Sequence, residues 1–264
     1  MQHFTDSYRL LTVIVSRRLF ISFYDRPRDL SKKVIFYSKF EGIAYLCPML
    51  TTRVKASSIT NLTDARYFAA WEVEWLGFNL NIGSTDYIEP HLVKAIKEWV
   101  DGVKIIGEFD LASADHINDM AQALGLDGAQ LGMFTSLETF QELEYATTLF
   151  KEIVVEKETT ETSIRDHMTD FAPYVKAFVL NFEKNDVNIA DLGKGASLSK
   201  EELILLCKSF PVLISMPVAA AELADFMTEL SPLGLSVKGG AEEKVGYKSF
   251  DELDELFELL EVES

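Results

Sequence analysis

Eight short apolar runs alternate with amphipathic stretches between residues 49 and 264, and this alternation restricts the fold more than any other feature. The runs have the length and apolar character of strands that are buried on both faces. They lie at residues 53–57, 75–79, 103–109, 128–131, 152–156, 177–181, 212–215 and 235–238. Eight strands alternating with helices over this length are typical of a closed parallel barrel. The sequence therefore predicts an α/β fold, a TIM (βα)8 barrel over residues 49–264.

The stretches between the strands carry helix signals. Residues 90–99 repeat apolar side chains with a helical period, and Ser199 with Glu202 three residues later forms a capping box. A doubly wound open sheet would also alternate strands and helices. It usually has fewer strands, however, and often a glycine-rich first turn. Ser57-Ser58 is not such a turn, so the barrel is favoured.

The composition changes at Pro48-Met49. Residues 1–48 hold 8 Lys/Arg and 4 Asp/Glu, whereas residues 49–264 hold 17 and 38. One explanation is a start codon assigned too far upstream, with the native start at Met49. The other is a basic N-terminal extension such as a transit peptide, although its four acidic residues fit that class of segment poorly. We expect residues 1–48 to lie outside the barrel.

Charge and residue spacing exclude several classes of function. The strongly acidic body, with a net charge of −17 for the whole chain, would repel nucleic acid. The chain contains no run of about 18 uncharged apolar residues, so the sequence predicts no membrane span. Cys47 and Cys207 lie far apart, which suits a reducing compartment, and the four histidines lack metal-ligand spacing. We expect a cytoplasmic protein that binds no metal, no nucleic acid and no membrane.

Two segments resemble a known enzyme family. The first, residues 54–78, reads VKASSITNLTDARYFAAWEVEWLGF, and the second, residues 236–257, reads SVKGGAEEKVGYKSFDELDELF. They resemble the first βαβ unit and the last strand and helix of phosphoribosylanthranilate isomerase, a (βα)8 barrel of tryptophan biosynthesis. The positions that match are Lys55, Ile59, Thr60, Asn61, Asp64, Ala65, Leu76, Gly77, Phe78, Val237, Gly240, Glu242, Gly246 and Lys248.

The resemblance implies an Amadori rearrangement, an aldose-to-ketose isomerisation of a phosphoribosylated anthranilate, without a cofactor. It places the general base at Ser57, where the family has cysteine, and the general acid at Asn181, where the family has aspartate. A serine hydroxyl and an amide transfer protons poorly near pH 7. Loss of a well-placed acid or base typically costs about 10²–10⁴-fold in rate. The resemblance therefore predicts weak or altered activity.

The substrate-binding positions implied by the resemblance have also changed. Asp86 stands where the family has the arginine that meets the anthranilate carboxylate, and Pro217 interrupts a former phosphate loop. A proline has no N–H group to offer a phosphate. Only the last loop keeps glycines suited to an anion. The predicted substrate and phosphate positions are Lys55, Asp86, Gln130, Ser215, Lys238, Gly239 and Gly240.

Two interpretations of the lysines expected at the mouth of the barrel remain open. Lys55, Lys157 and Lys238 could converge into an anion site, or each lysine could pair with a neighbouring carboxylate. Likewise, the chain could be a weak isomerase, or a non-catalytic paralogue that binds a phosphorylated or carboxylated metabolite or a protein partner. In either case we expect a small phosphorylated substrate or other anion as ligand, and a monomer or homodimer.

Overall fold

The computed structural model describes residues 10–15, 18–23, 36–37, 44–45, 50–143, 148–194, 198–239, 242–244, 247–248 and 250–262. The chain divides into two compact units, residues 1–49 and 50–264. In the first unit, Leu10–Val15 pairs antiparallel with Arg18–Phe23, and Phe36–Tyr37 pairs with Ala44–Tyr45. The barrel strands all belong to the second unit. A native start at Met49 stays a prediction.

The second unit is a closed barrel of eight parallel strands, in which the last strand pairs with the first. The strands are β1 (Arg53–Ser57), β2 (Trp75–Asn79), β3 (Lys104–Phe109), β4 (Gly128–Leu131), β5 (Thr148–Val154), β6 (Ala177–Asn181), β7 (Val212–Ser215) and β8 (Gly234–Lys238). This confirms the predicted TIM barrel.

Strand β5 differs most from its predicted limits. It spans Thr148–Val154, whereas the sequence predicted residues 152–156. The charged pair Lys151-Glu152 interrupts the apolar run and hides its first half. Pairing with the neighbouring strands β4 and β6 sets the observed limits of β5. Phe150 pairs with Gln130 of β4 on one side and with Ala177 of β6 on the other.

In the described part of the chain, eight α-helices pack around the barrel between and after the strands. They are α1 (Leu62–Ala70), α2 (Pro90–Lys97), α3 (Ala114–Leu124), α4 (Leu137–Gln141), α5 (Glu161–Phe171), α6 (Lys200–Ser209), α7 (Ala220–Leu230) and α8 (Asp251–Leu260). The predicted capping box of Ser199 and Glu202 is present at the start of α6. Among the helices of the described residues, none is long and apolar enough to cross a membrane.

The inside of the barrel has an apolar layer below a polar layer. The apolar layer consists of Trp75, Ile106, Phe150, Ala177, Val179 and Leu213. The polar layer consists of Lys55, Ser57, Glu108, Gln130, Glu152, Asn181, Ser215 and Ser236, all buried. Because side chains alternate along a strand, residues two apart share a face, so the polar layer lies at the carboxyl ends of the strands. The chemistry of the barrel is therefore confined to that end.

Lys151 is a buried lysine on the outer face of β5, between the barrel and helices α4 and α5. Its ammonium donates hydrogen bonds to three carbonyls of the loop after β4, at 2.8–2.9 Å, and lies 4.4 Å from the ring centre of Phe171. Burial lowers the pKa of Lys151 from 10.5 to about 8, although the charge of Glu152 opposes the shift. The ammonium thus holds the loop together at the cost of its own desolvation.

Raising the pH from 8 to about 9.5 should stabilise the parent chain relative to the Lys151→Met variant. In this window the unfolded chain binds more protons at Lys151 than the folded chain, so the free energy of unfolding rises with pH. The difference in slope should reach at most about 1.4 kcal/mol per pH unit. Burial also raises the pKa of Cys207 and Tyr67, but both groups are present in both chains. Urea unfolding across the pH series measures the slopes; parallel curves would contradict the prediction.

Candidate functional site

A cavity of about 250 Å³ opens at the carboxyl ends of the barrel strands, and its wall is mostly polar. Six of the predicted site residues line it: Ser57, Asp86, Gln130, Asn181, Ser215 and Lys238. Five of them lie on strands, and Asp86 lies on the loop after β2. The sequence thus placed these residues at one end of the barrel, and the structure brings them to one cavity.

The other predicted positions lie around the cavity or outside the described residues. Lys55 is fully buried beneath Ser57. The backbone of Gly239 passes so close to α1 that a Cβ atom there would lie 2.9 Å from Asp64 Oδ2. Gly240 lies outside the described residues. Lys157 is exposed on the loop after β5 and is not part of the cavity wall.

Ser57 accepts a hydrogen bond from an ammonium, which opposes its use as a base. The Lys55 ammonium donates to Ser57 Oγ at 2.8 Å, and Ser57 Oγ lies 2.8 Å from Ser236 Oγ. An ammonium beside a hydroxyl stabilises negative charge on that oxygen and opposes the uptake of a further proton. At neutral pH, therefore, Ser57 can polarise a ligand but cannot abstract a proton from it.

Lys55 and Glu108 form a buried ion pair inside the polar layer. The backbone N–H and the hydroxyl of Ser58 donate to the second carboxylate oxygen of Glu108, at 3.1 and 3.2 Å. Gly77 makes room for the pair, since a Cβ atom there would contact Glu108 Oε1 and would lie 2.7 Å from Lys55 Nζ. These donors contact both oxygens of Glu108 and fix the position of its carboxylate.

Ser58 takes a backbone conformation that serine rarely adopts. Its φ of 53° lies in the left-handed region, where the resembled family has glycine. The conformation directs both donors of Ser58 towards Glu108. The local strain therefore serves the carboxylate that neutralises Lys55.

A second cluster joins Asn181, Glu152 and Lys184. Asn181 Nδ2 donates to Glu152 Oε1 at 2.7 Å, and Lys184 Nζ donates to Glu152 Oε2 at 2.8 Å. Burial alone would lower the pKa of Lys184, but attraction by Glu152, with smaller contributions from Asp110 and Glu108, raises it. The amide at the family's acid position is thus bonded to a carboxylate from the neighbouring strand.

Lys238 faces Asp86 across the cavity mouth, with 3.4 Å between Nζ and Oδ2. Burial raises the pKa of the neighbouring Glu183, and Lys238 and Ser215 partly offset the shift. Lys55, Lys184 and Lys238 are each paired with a carboxylate. Of the two interpretations of the lysines, pairing is the one observed for Lys55 and Lys238.

Sequence reasoning missed Glu152 and Lys184 as members of the site. Placing the end of β5 two residues too late directed attention to Glu156, which is exposed, instead of Glu152. The alternation of Phe150, Glu152 and Val154 around the true strand could have revealed an inward carboxylate. Across the part of the chain that the structure describes, no group of three or more His, Cys, Asp or Glu residues could hold a metal ion.

No protein-family model matches the chain. N-(5'-phosphoribosyl)anthranilate isomerase of Gloeothece citriformis (strain PCC 7424) is 26% identical over 216 residues, covering 79% of this chain and 93% of that protein.

Solved structures give the same result. Phosphoribosyl anthranilate isomerase from Thermus thermophilus is similar with a TM-score of 0.63 and 25% identity, over 79% of this chain and 98% of that one. Another phosphoribosyl anthranilate isomerase, solved in complex with reduced 1-(o-carboxyphenylamino)-1-deoxyribulose 5-phosphate, shares the fold with a TM-score of 0.61 and 19% identity, over the same fractions of the two chains. The barrel, the motifs and these relatives support the chain as a divergent member of the phosphoribosylanthranilate isomerase family.

Proposed function

We propose that this chain catalyses, weakly, the isomerisation of N-(5'-phosphoribosyl)anthranilate in tryptophan biosynthesis. It would do so in the cytoplasm, as a monomer or homodimer, without a cofactor. The observation that carries the proposal is the position of Ser57 and Asn181. Both face one polar cavity from the ends of β1 and β6, at the two positions where the family has its base and its acid.

The same observation explains why the activity should be weak. The hydroxyl of Ser57 accepts a hydrogen bond from Lys55, and the amide of Asn181 donates a hydrogen bond to Glu152. Neither group exchanges a proton readily near pH 7. Asp86 adds a negative charge where an anthranilate carboxylate would need a cation. Chemistry and binding are therefore both weakened, and they are weakened at separate steps.

A non-catalytic binding protein is the second candidate, and the paired lysines favour it. Lys184 and Lys238 lie on the cavity wall, each with a carboxylate partner, so an incoming anion must compete with those carboxylates. Such a site suits a ligand that binds without reacting. Binding of the reduced ketose phosphate named above, measured by calorimetry, would report this function even if turnover were absent.

Growth of a tryptophan auxotroph that lacks the isomerase tests the proposed function. We expect the chain to support slow growth, and the purified protein to have a kcat/KM at least about 10²-fold below that of an ordinary family member. Rapid growth would show that other residues perform the proton transfers efficiently. If the protein neither turned over the substrate nor bound the reduced ketose phosphate, both candidate functions would be wrong.

A further inference from the structure

Among the described residues, four carboxylates line the cavity, and Glu152 differs from the other three in its burial and hydrogen bonding. Asp86 is paired with Lys238, and Asp110 is exposed at the rim. Glu108 is buried with donors on both oxygens from Lys55 and from the backbone and hydroxyl of Ser58. Glu152 is buried as well, but each of its oxygens accepts one hydrogen bond. A carboxylate oxygen has two acceptor positions, so Glu152 keeps acceptor capacity at the cavity wall.

The orientation of Asn181 points to the same carboxylate. Asn181 Oδ1 accepts from the backbone N–H of Lys184 at 3.1 Å, which leaves Nδ2 to donate to Glu152. The amide therefore cannot act as a proton donor of its own, but it holds a carboxylate within hydrogen-bond distance of the family's acid position. The ionisable group of this cluster that faces Asn181 therefore lies on the neighbouring strand β5.

Lys184 pairs with the buried carboxylate of Glu152, with 2.8 Å between Nζ and Oε2. About two-fifths of the Lys184 side chain is exposed, whereas Lys55 is fully buried against Glu108. Lys184 can therefore move away from Glu152 when a ligand binds, whereas Lys55 cannot move away from Glu108.

We propose that Glu152, the carboxylate held at the family's acid position by Asn181, is the general base of this chain and performs the C2 proton transfer that Ser57 cannot. This inference rests on the proposed isomerisation. Once the ribose ring has opened to the protonated imine, the Glu152 carboxylate takes the proton from C2. The electron pair of the C2–H bond forms the C1–C2 double bond, and the π pair of the C–N double bond moves to nitrogen. Return of the proton to C1 and loss of the O2 hydroxyl proton give the ketose amine, so no other reactant is consumed.

The test compares the full-length parent with Glu152→Gln, Glu152→Asp and Glu156→Gln. Glutamine keeps an acceptor for Asn181 and nearly the same volume, so we expect the fold to persist, which thermal melting checks. The Gln variant should lose about 10²–10⁴-fold in kcat with a smaller change in KM. The Asp variant keeps a carboxylate and should retain part of the activity. Glu156→Gln makes the same chemical change at an exposed position of the next loop and should leave kcat unchanged.

The pH profile separates proton transfer from a structural role. In the parent, kcat/KM should fall on the acidic side, and that limb should be absent in Glu152→Gln. A kcat of the Gln variant within about threefold of the parent would overturn the role of Glu152 and leave the isomerase function standing. A parent that binds the reduced ketose phosphate without any turnover would overturn the isomerase function, and the role of Glu152 with it.

Discussion

Restoring the two family groups with Ser57→Cys and Asn181→Asp should recover little kcat/KM alone, whereas adding Asp86→Arg should give at least about a 10²-fold gain over the parent. The double variant repairs proton transfer but leaves a carboxylate where the substrate carboxylate must bind. The third substitution removes that repulsion, adds a cation and releases Lys238 from its partner. The gain of the triple variant over the double variant should therefore appear mainly as a lower KM.

The structure indicates how the two restored groups would behave. A thiol at Ser57 would lie beside the Lys55 ammonium, which lowers a thiol pKa and favours the thiolate. A carboxyl at Asn181 would face Glu152, and two carboxylates that share a site raise the pKa of one of them. One proton acceptor and one proton donor would thus be available near neutral pH. The like charges should also lower stability as the pH rises.

Steady-state assays of the parent, the double variant, the triple variant and Asp86→Arg alone measure the effect. Asp86→Arg alone is the control, because it improves binding without restoring proton transfer and should change kcat little. If the double variant already matched the triple variant, the charge of Asp86 would have no part in substrate binding.

Gly77→Ala should destabilise the barrel by about 3–5 kcal/mol, the usual cost of breaking a buried ion pair. The added methyl group would occupy the space of Glu108 Oε1 and would lie 2.7 Å from Lys55 Nζ. Side-chain ends can often move aside, but both of these are buried and hold each other. One of them must therefore leave its partner uncompensated within the barrel.

Chemical unfolding of Gly77→Ala in two backgrounds isolates this cause. In the parent the full loss is expected. In a Lys55→Met, Glu108→Ala background, which has no pair to break and has free volume beside Gly77, the same substitution should cost less than about 1 kcal/mol. An equal loss in both backgrounds would show that the backbone at Gly77, and not the ion pair, is responsible.

The sequence predicted the barrel because eight buried parallel strands appear as short apolar runs that alternate with amphipathic helices along the chain. It also predicted that Ser57, Gln130, Asn181, Ser215 and Lys238 would share one end, since strand ends meet there in a parallel barrel. The roles assigned to these residues stay predictions.

The pairing of charges was not visible in the sequence. Lys55 and Glu108 are 53 residues apart, Glu152 and Lys184 are 32 apart, and Asp86 and Lys238 are 152 apart. Such pairs depend on barrel register and loop conformation, which no local pattern encodes. Glu152 was missed for a related reason, because the charged residues inside β5 disguised the limits of the strand.

The closure of the barrel also sets the order in which the chain can fold. Strand β1 is completed by β8, with Ser57 and Ser236 in contact across 179 residues of sequence. Helix α1 is covered by α8, where Tyr67 stacks on Phe250 and donates to Asp254. During synthesis, β1 and α1 therefore keep their apolar faces exposed until β8 and α8, near the end of the chain, have left the ribosome. Contacts of such long sequence separation slow folding and prolong exposure to aggregation.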